Sequence, residues 1–179
     1  HISDPVLKKM NRKITRKEIE ATMSRVRSQL PDVAWRTTFI VGFPTETDQD
    51  FEELVDFVSE GHFQHLGIFL YSDEDNIRSS KFGDPIPLSL KEERKNRLME
   101  IQQKISREHH QKMVGSLQQV LVGGFSSETD LLLEGRNQYQ GPEVDGVVYI
   151  NEGNATSAGF HQVEITEAHE YDLVGKILN

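Results

Sequence analysis

Cysteine is missing from all 179 residues. That excludes a thiolate nucleophile, a disulfide and any Cys-ligated metal within this chain. Long apolar runs are missing too: none approaches the ~20 residues of a membrane-spanning helix. Nor do the first residues show a basic-then-apolar signal pattern, so a cytoplasmic setting is expected. Asn154-Ala155-Thr156 fits a glycosylation sequon, read as chance without a secretory signal. Neither His62 with His65 nor His109 with His110 is joined by carboxylates at ligand spacing, so no metal site is expected. There is no internal repeat and no low-complexity tract. Hydrophobic residues make up 36% and charged residues 27%, the profile of an ordinary, rather polar globular protein.

Positive charge is scarce where it would matter most. The net charge is −9, and residues 116–179 hold only two of the cations, Arg136 and Lys176, against ten carboxylates. An acidic module of this kind repels phosphate backbones and attracts basic partners. Residues 1–30, by contrast, carry eight basic and three acidic groups, several of them (Arg16, Lys17, Arg25, Arg27) on the solvated face of one helix.

What is present is organised around Trp35–Phe51. Thr37, Thr38, Phe39, Ile40 and Val41 read as a strand buried on both faces. Gly42-Phe43-Pro44 turns the chain, and Phe51, Leu54, Val55 and Val58 mark a helix. This is one βα unit of a parallel sheet, and such sheets place their ligands beyond strand C-termini. Before it, Ser3-Asp4-Pro5 is expected to cap a short helix. Thr15 to Glu18 forms a capping box for a second helix, along which Ile19, Met23, Val26 and Leu30 make one face. The chain opens at His1 as if in mid-element. After the βα unit, Ser59-Glu60-Gly61 closes the helix and His65–Ser72 is a second strand. Ser89 to Glu92 reads as a capping box opening a helix from Leu90 to Val114, with Leu98, Ile101 and Ile105 as its apolar stripe.

Beyond Gly115 the pattern changes. Five short β-type runs, Leu117–Val122, Asp130–Glu134, Gly146–Ile150, Phe160–Ile165 and Leu173–Leu178, predict a small antiparallel OB-like barrel. The expected organisation is therefore an α/β domain over 1–115 and a β-barrel over 116–179.

Single residues allow more than one role. Gly42 permits close backbone approach, and Phe43 or Ile40 offers a flat apolar contact. Arg36 could pair with a carboxylate. Glu46 could cap a helix or hydrogen-bond a ligand, and capping is the simpler role.

Arg36-Thr37-Thr38-Phe39-Ile40-Val41-Gly42-Phe43-Pro44, followed by Glu46-Thr47, resembles the RTTFIVGFPGET signature of the radical S-adenosylmethionine (SAM) methylthiotransferases. His1 with Ser3–Met10, Tyr71-Ser72 and Gln102–Ser106 resemble other segments of that family. Gly135-Arg136, Pro142 to Gly146, and Tyr171-Asp172-Leu173 with Gly175 resemble its C-terminal TRAM domain. The resemblance implies the last part of a partial (βα)6 barrel over 1–115 and TRAM over 116–179. It implies SAM contacts at Ile40, Gly42, Phe43, Pro44, Tyr71 and Ser72, and substrate contacts at Arg136, Glu143, Asp145, Tyr171 and Asp172. It also implies two [4Fe–4S] clusters on cysteines that this chain does not contain. The fragment alone is therefore expected to be inactive, with no catalytic residue of its own.

The likeness is to the branch that adds a methylthio group to the β-carbon of an aspartate in small-subunit ribosomal protein S-twelve. The acidic C-terminal module suits that basic protein and disfavours RNA. The alternatives are a tRNA adenosine methylthiotransferase of the same superfamily and a stand-alone binding module. A monomer is expected. Two positions depart from the family pattern: Thr45 stands where a Gly is usual, which predicts a different local turn, and Asn76-Ile77 replaces Gly-Thr.

Overall fold

The computed structural model describes residues 1–74, 79–153 and 158–178. Asn76-Ile77 and the Asn154-Ala155-Thr156 sequon lie outside the described residues. The chain divides into two compact units, His1–Gln102 and Gln103–Asn179.

The first unit runs α1 (Asp4–Lys9), α2 (Arg16–Gln29), β1 (Arg36–Val41), α3 (Asp48–Ser59), β2 (His65–Leu70), a 3-10 turn (Ser80–Phe82) and the start of α4 (Leu88–Gln111). Strands β1 and β2 pair in parallel from Arg36 with His65 to Val41 with Leu70, as a βαβ crossover requires. Helix α3 covers one face of this pair with Phe51, Leu54, Val55, Phe57 and Val58. Phe39, Phe57 and Phe63 meet edge to face in that core, with centroids 5.8–6.5 Å apart.

The other face of β1 is open, contrary to the expectation of a strand buried on both sides. Phe39 and Val41 are buried, while Thr38 and Ile40 alternate with them toward solvent. Ile40 pairs with Phe69, itself 65% exposed.

Two helix starts also differ from expectation. Ser3 occupies the N-cap of α1 but makes no capping hydrogen bond; its hydroxyl donates to the Asp50 carboxylate instead. Helix α4 begins at Leu88, so Ser89 lies inside the first turn and cannot cap it. The capping box of Thr15 with Glu18 is present, and a second one joins Thr47 and Asp50.

The buried seam of α4 is largely polar. Leu98 is fully buried, but its neighbours along the stripe are Lys91, Arg94, Gln102, Ser106 and His110, each at most 8% exposed. These positions recur every three or four residues and so share one helix face.

The second unit is a closed barrel of β3 (Leu117–Phe125), β4 (Leu133–Arg136), β5 (Val148–Glu152), β6 (Gly159–Ala168) and β7 (Leu173–Ile177), in the order β3-β4-β5-β7-β6. Its ladders are antiparallel except β5 with β7, which is parallel; that one pairing departs from the all-antiparallel expectation. Val120, Val122, Val148, Ile150, Val163, Ile165 and Leu173 fill the interior. Among the described residues each barrel strand pairs with a neighbour on both sides, so the sheet closes on itself.

Candidate functional site

The turn after β1 is built from its own residues and from α4. Gly42 takes φ +73°, a left-handed conformation that suits glycine. A Cβ there would lie 2.4 Å from the Lys91 Cγ, so the close approach at this glycine is made by the Lys91 stem. The Glu46 N–H donates to the Phe43 carbonyl at 2.7 Å, closing a β-turn with Pro44 and Thr45 at its corners. Thr45 is accommodated without positive φ, which among the described non-glycine residues occurs at Asn11 and Glu143.

Glu46 takes a role that neither sequence reading offered. Its side chain is fully buried, and Thr47 performs the capping. Oε2 accepts the N–H groups of Gly42 (2.9 Å) and Phe43 (3.4 Å), while Oε1 receives Arg94 Nη1 at 2.7 Å. Arg94 also reaches Asp48 at 2.6 Å and lies over the Phe51 ring. His1 Nδ1 accepts the backbone N–H groups of Ile2 and Ser3, both at 3.0 Å. The ring proton is thereby assigned to Nε2, which faces Glu46 Oε2 at 3.5 Å. Burial pushes the Asp50 carboxyl up, but hydrogen bonds from the Ser3 and Thr47 hydroxyls and the Thr47 N–H, with His1 nearby, hold it below its ordinary value.

The end of β2 is fixed from the same helix. Lys91 Nζ donates to the Tyr71 carbonyl at 2.9 Å and to Asp84 Oδ2 at 2.6 Å. The Tyr71 ring packs against Phe43 with centroids 5.3 Å apart, in a small cluster with Val6 and Phe82.

The six expected SAM-contact positions thus gather at two adjacent strand ends, with their side chains divided. Ile40 and Ser72 are exposed, Pro44 is half-buried, and Phe43 and Tyr71 turn inward against each other. The Phe43 N–H, carbonyl and ring are all engaged within the protein. Arg36 is exposed at the far end of β1. Among the described residues, no group of three His, Asp or Glu is placed to hold a metal ion.

In the barrel unit, the acidic residues singled out from the sequence fall into two kinds. Asp145 Oδ2 accepts the Gly141 N–H at 2.7 Å, and Asp172 Oδ1 accepts the Val147 N–H at 2.8 Å. Both hold the loop ahead of β5. A Cβ on Gly146 would lie 1.8 Å from the Tyr171 carbonyl oxygen, so this loop and the start of β7 need glycine to meet. Tyr171 is 46% exposed and its hydroxyl accepts Gln103 Nε2 at 3.1 Å. Glu143 and Arg136 are exposed and line a groove of about 670 Å³ with Leu121, Glu134 and Val147. Nearby, burial and the carboxylates of Glu128, Asp172 and Glu134 push the Tyr149 phenol up.

Residues 1–58 match the Radical SAM superfamily and residues 114–178 match the TRAM domain. A protein of Bdellovibrio bacteriovorus named ribosomal protein uS12 methylthiotransferase RimO is 50% identical over 178 residues, 99% of this chain and 39% of that protein. Proteins of the same name from Geobacter sulfurreducens and Desulfotalea psychrophila are 42% and 45% identical over the whole chain, and 40% of each is covered. The chain is thus similar over its whole length to radical SAM methylthiotransferases. It spans about two fifths of the length of the curated relatives it matches. The chain has no cysteine with which to ligate an iron–sulfur cluster. The sequence reading named Glu46 without its buried role behind the turn, and it missed Lys91 and Arg94. The visible signal was the spacing of Lys91 and Arg94, in phase with Leu98.

Proposed function

We propose that this chain supplies one wall of the SAM pocket and the substrate-docking barrel of a methylthiotransferase. The reaction would place a methylthio group on the β-carbon of an aspartate in ribosomal protein uS12. The observation that carries this reading is the similarity, over the whole chain, to relatives that bear that name.

The residues fit part of the cofactor set. An open apolar face at the C-terminal ends of two parallel strands, with Ile40 and Phe69 side by side, suits the flat ring of an adenosyl group. Ile40, Gly42, Pro44 and Ser72 are the contacts proposed there, with Phe43 and Tyr71 supporting them from beneath. Bound beside a cluster held outside this chain, SAM would supply, on one-electron reduction, the adenosyl radical chemistry of this family. The clusters do not fit this chain, which has no cysteine, and no catalytic step is assigned to its residues. Their part is to bind and orient.

The barrel's charge supports a basic protein partner over RNA. Lys176 is paired with Glu164 at 3.2 Å, leaving Arg136 against the exposed Glu128, Glu143, Glu152 and Glu167. Each missing phosphate contact lowers affinity for nucleic acid, and carboxylates oppose it.

The test uses the complete enzyme that contains this chain, with its clusters reconstituted under anaerobic conditions. Methylthio product should form on an aspartate of uS12 and not on tRNA. Product on tRNA adenosine alone would transfer the reading to the other branch of the family.

A further inference from the structure

The two strand ends of the proposed pocket are connected through one helix, α4. Lys91 and Arg94 lie one turn apart on α4, and each is at most 3% exposed. Both reach the back of the same turn. Arg94 holds Glu46, which holds the N–H groups of Gly42 and Phe43. Lys91 fills the space beneath Gly42 with its methylene stem, and its ammonium group binds the Tyr71 carbonyl and Asp84. The ammonium also lies 5.4 Å from the centre of the Tyr71 ring. One side chain therefore touches the residue that follows β1 and the residue that follows β2.

We propose that Lys91 is a positioning residue for SAM: it sets the spacing between the Gly42 turn and the Tyr71 strand end, with Arg94 fixing the orientation of the turn. Stem and ammonium have separable duties. The stem supports Gly42 by contact, and the ammonium anchors β2 through a backbone carbonyl. A buried ammonium keeps its charge only beside compensating acceptors, and the Asp84 carboxylate with the Tyr71 carbonyl supplies them. Loss of the ammonium frees the Tyr71 carbonyl and lets the strand end drift. A shift of about an ångström at a binding wall lowers ligand affinity and misorients what still binds. The inference rests on the proposed SAM pocket.

The experiment uses the complete reconstituted enzyme and titrates SAM. Two readouts are followed: equilibrium dialysis of labelled SAM, and the change in the reduced cluster's electron paramagnetic resonance signal. Lys91→Met keeps the stem and removes the ammonium. It should raise the SAM dissociation constant about tenfold and broaden the SAM-dependent signal, with iron content unchanged. Asp84→Asn, which leaves Lys91 in place and keeps a hydrogen-bond acceptor, should raise it about threefold. Arg97→Met, on the same helix but paired at the surface with Glu52, should leave it unchanged. Equal SAM affinity and signal in Lys91→Met and the unaltered enzyme would overturn the proposal. So would an equal loss in Lys91→Met and Arg97→Met, which would mark a general effect of helix stability. Failure of the unaltered, cluster-loaded enzyme to bind SAM would overturn the pocket reading itself, and the proposal with it. If Lys91→Met is too unstable to load clusters, Asp84→Asn carries the same test, and unchanged affinity there refutes it.

Discussion

Glu46 and Arg94, 48 residues apart in the chain, meet in a buried pair with Arg94 Nη1 2.7 Å from Glu46 Oε1. The two elements they join are the turn after β1 and the first half of α4. Because Glu46 Oε2 accepts two backbone N–H groups, the pair also satisfies donors that the turn would otherwise leave buried and unmade.

Removing Glu46 should therefore cost more than removing a surface charge. Glu46→Ala leaves Arg94 with the exposed Asp48 and the Phe51 ring and strands the Gly42 and Phe43 N–H groups. The expected loss is about 3–5 kcal/mol. Trp35 is the single tryptophan of the chain, so its fluorescence during urea unfolding follows the unit that contains the pair. A loss below about 1 kcal/mol would place the pair among ordinary surface bridges.

Asp50 gives a pH dependence of known sign. Its folded carboxyl lies below the ordinary value of 3.8. Its contribution to stability is thus complete above that unfolded value and is lost as pH falls through the lower folded one. Unfolding midpoints of the unaltered protein and of Asp50→Asn should differ at neutral pH and converge in acid below about pH 4. A constant difference across that range would mean that the Ser3 and Thr47 contacts do not favour the ionised form.

Glycine substitutions should separate close packing from backbone conformation. At Gly135 a Cβ would lie 2.6 Å from Val120 Cγ1 and 2.8 Å from the Leu121 carbonyl oxygen, inside the β3–β4 ladder. Gly135→Ala should destabilise the barrel by about 3 kcal/mol. At Gly61, φ is +73° but nothing lies within 4 Å of the added carbon. Gly61→Ala should cost only about 1 kcal/mol, the backbone strain alone. Thermal unfolding, with hydrogen exchange at Val120 and Val122 to report the barrel, distinguishes the two.

These glycines also mark what was legible in the sequence. The five barrel strands, the parallel βαβ order and the capping box at Thr15 follow from local pattern, because alternation and capping are properties of neighbouring residues. The polar seam of α4 does not. Lys91, Arg94 and Gln102 look solvated because their partners, Tyr71, Glu46 and Phe63, lie 20–48 residues away. Ser3 departs from its local pattern for the same reason: a serine before Asp-Pro fits a cap, but Asp50 competes for its hydroxyl from across the fold. Of the candidate site, the turn after β1 was legible in the Gly42-Phe43-Pro44 motif. The orientation was not, since the inward rotation of Phe43 depends on Tyr71 being its neighbour.

Charge reversal on the barrel tests the partner reading. Glu128 and Glu143 are exposed, so Glu128→Lys with Glu143→Lys should leave folding nearly intact while moving the local charge by four. In the complete enzyme the affinity for uS12 should fall about tenfold at low salt. The difference should narrow as salt rises, since surface attraction decays over a Debye length of ~8 Å at physiological ionic strength. Affinity for tRNA, measured alongside, should rise from a weak baseline because two opposing carboxylates become phosphate partners. If the double variant binds uS12 as tightly as the unaltered enzyme at every salt concentration, the acidic field plays no part in docking.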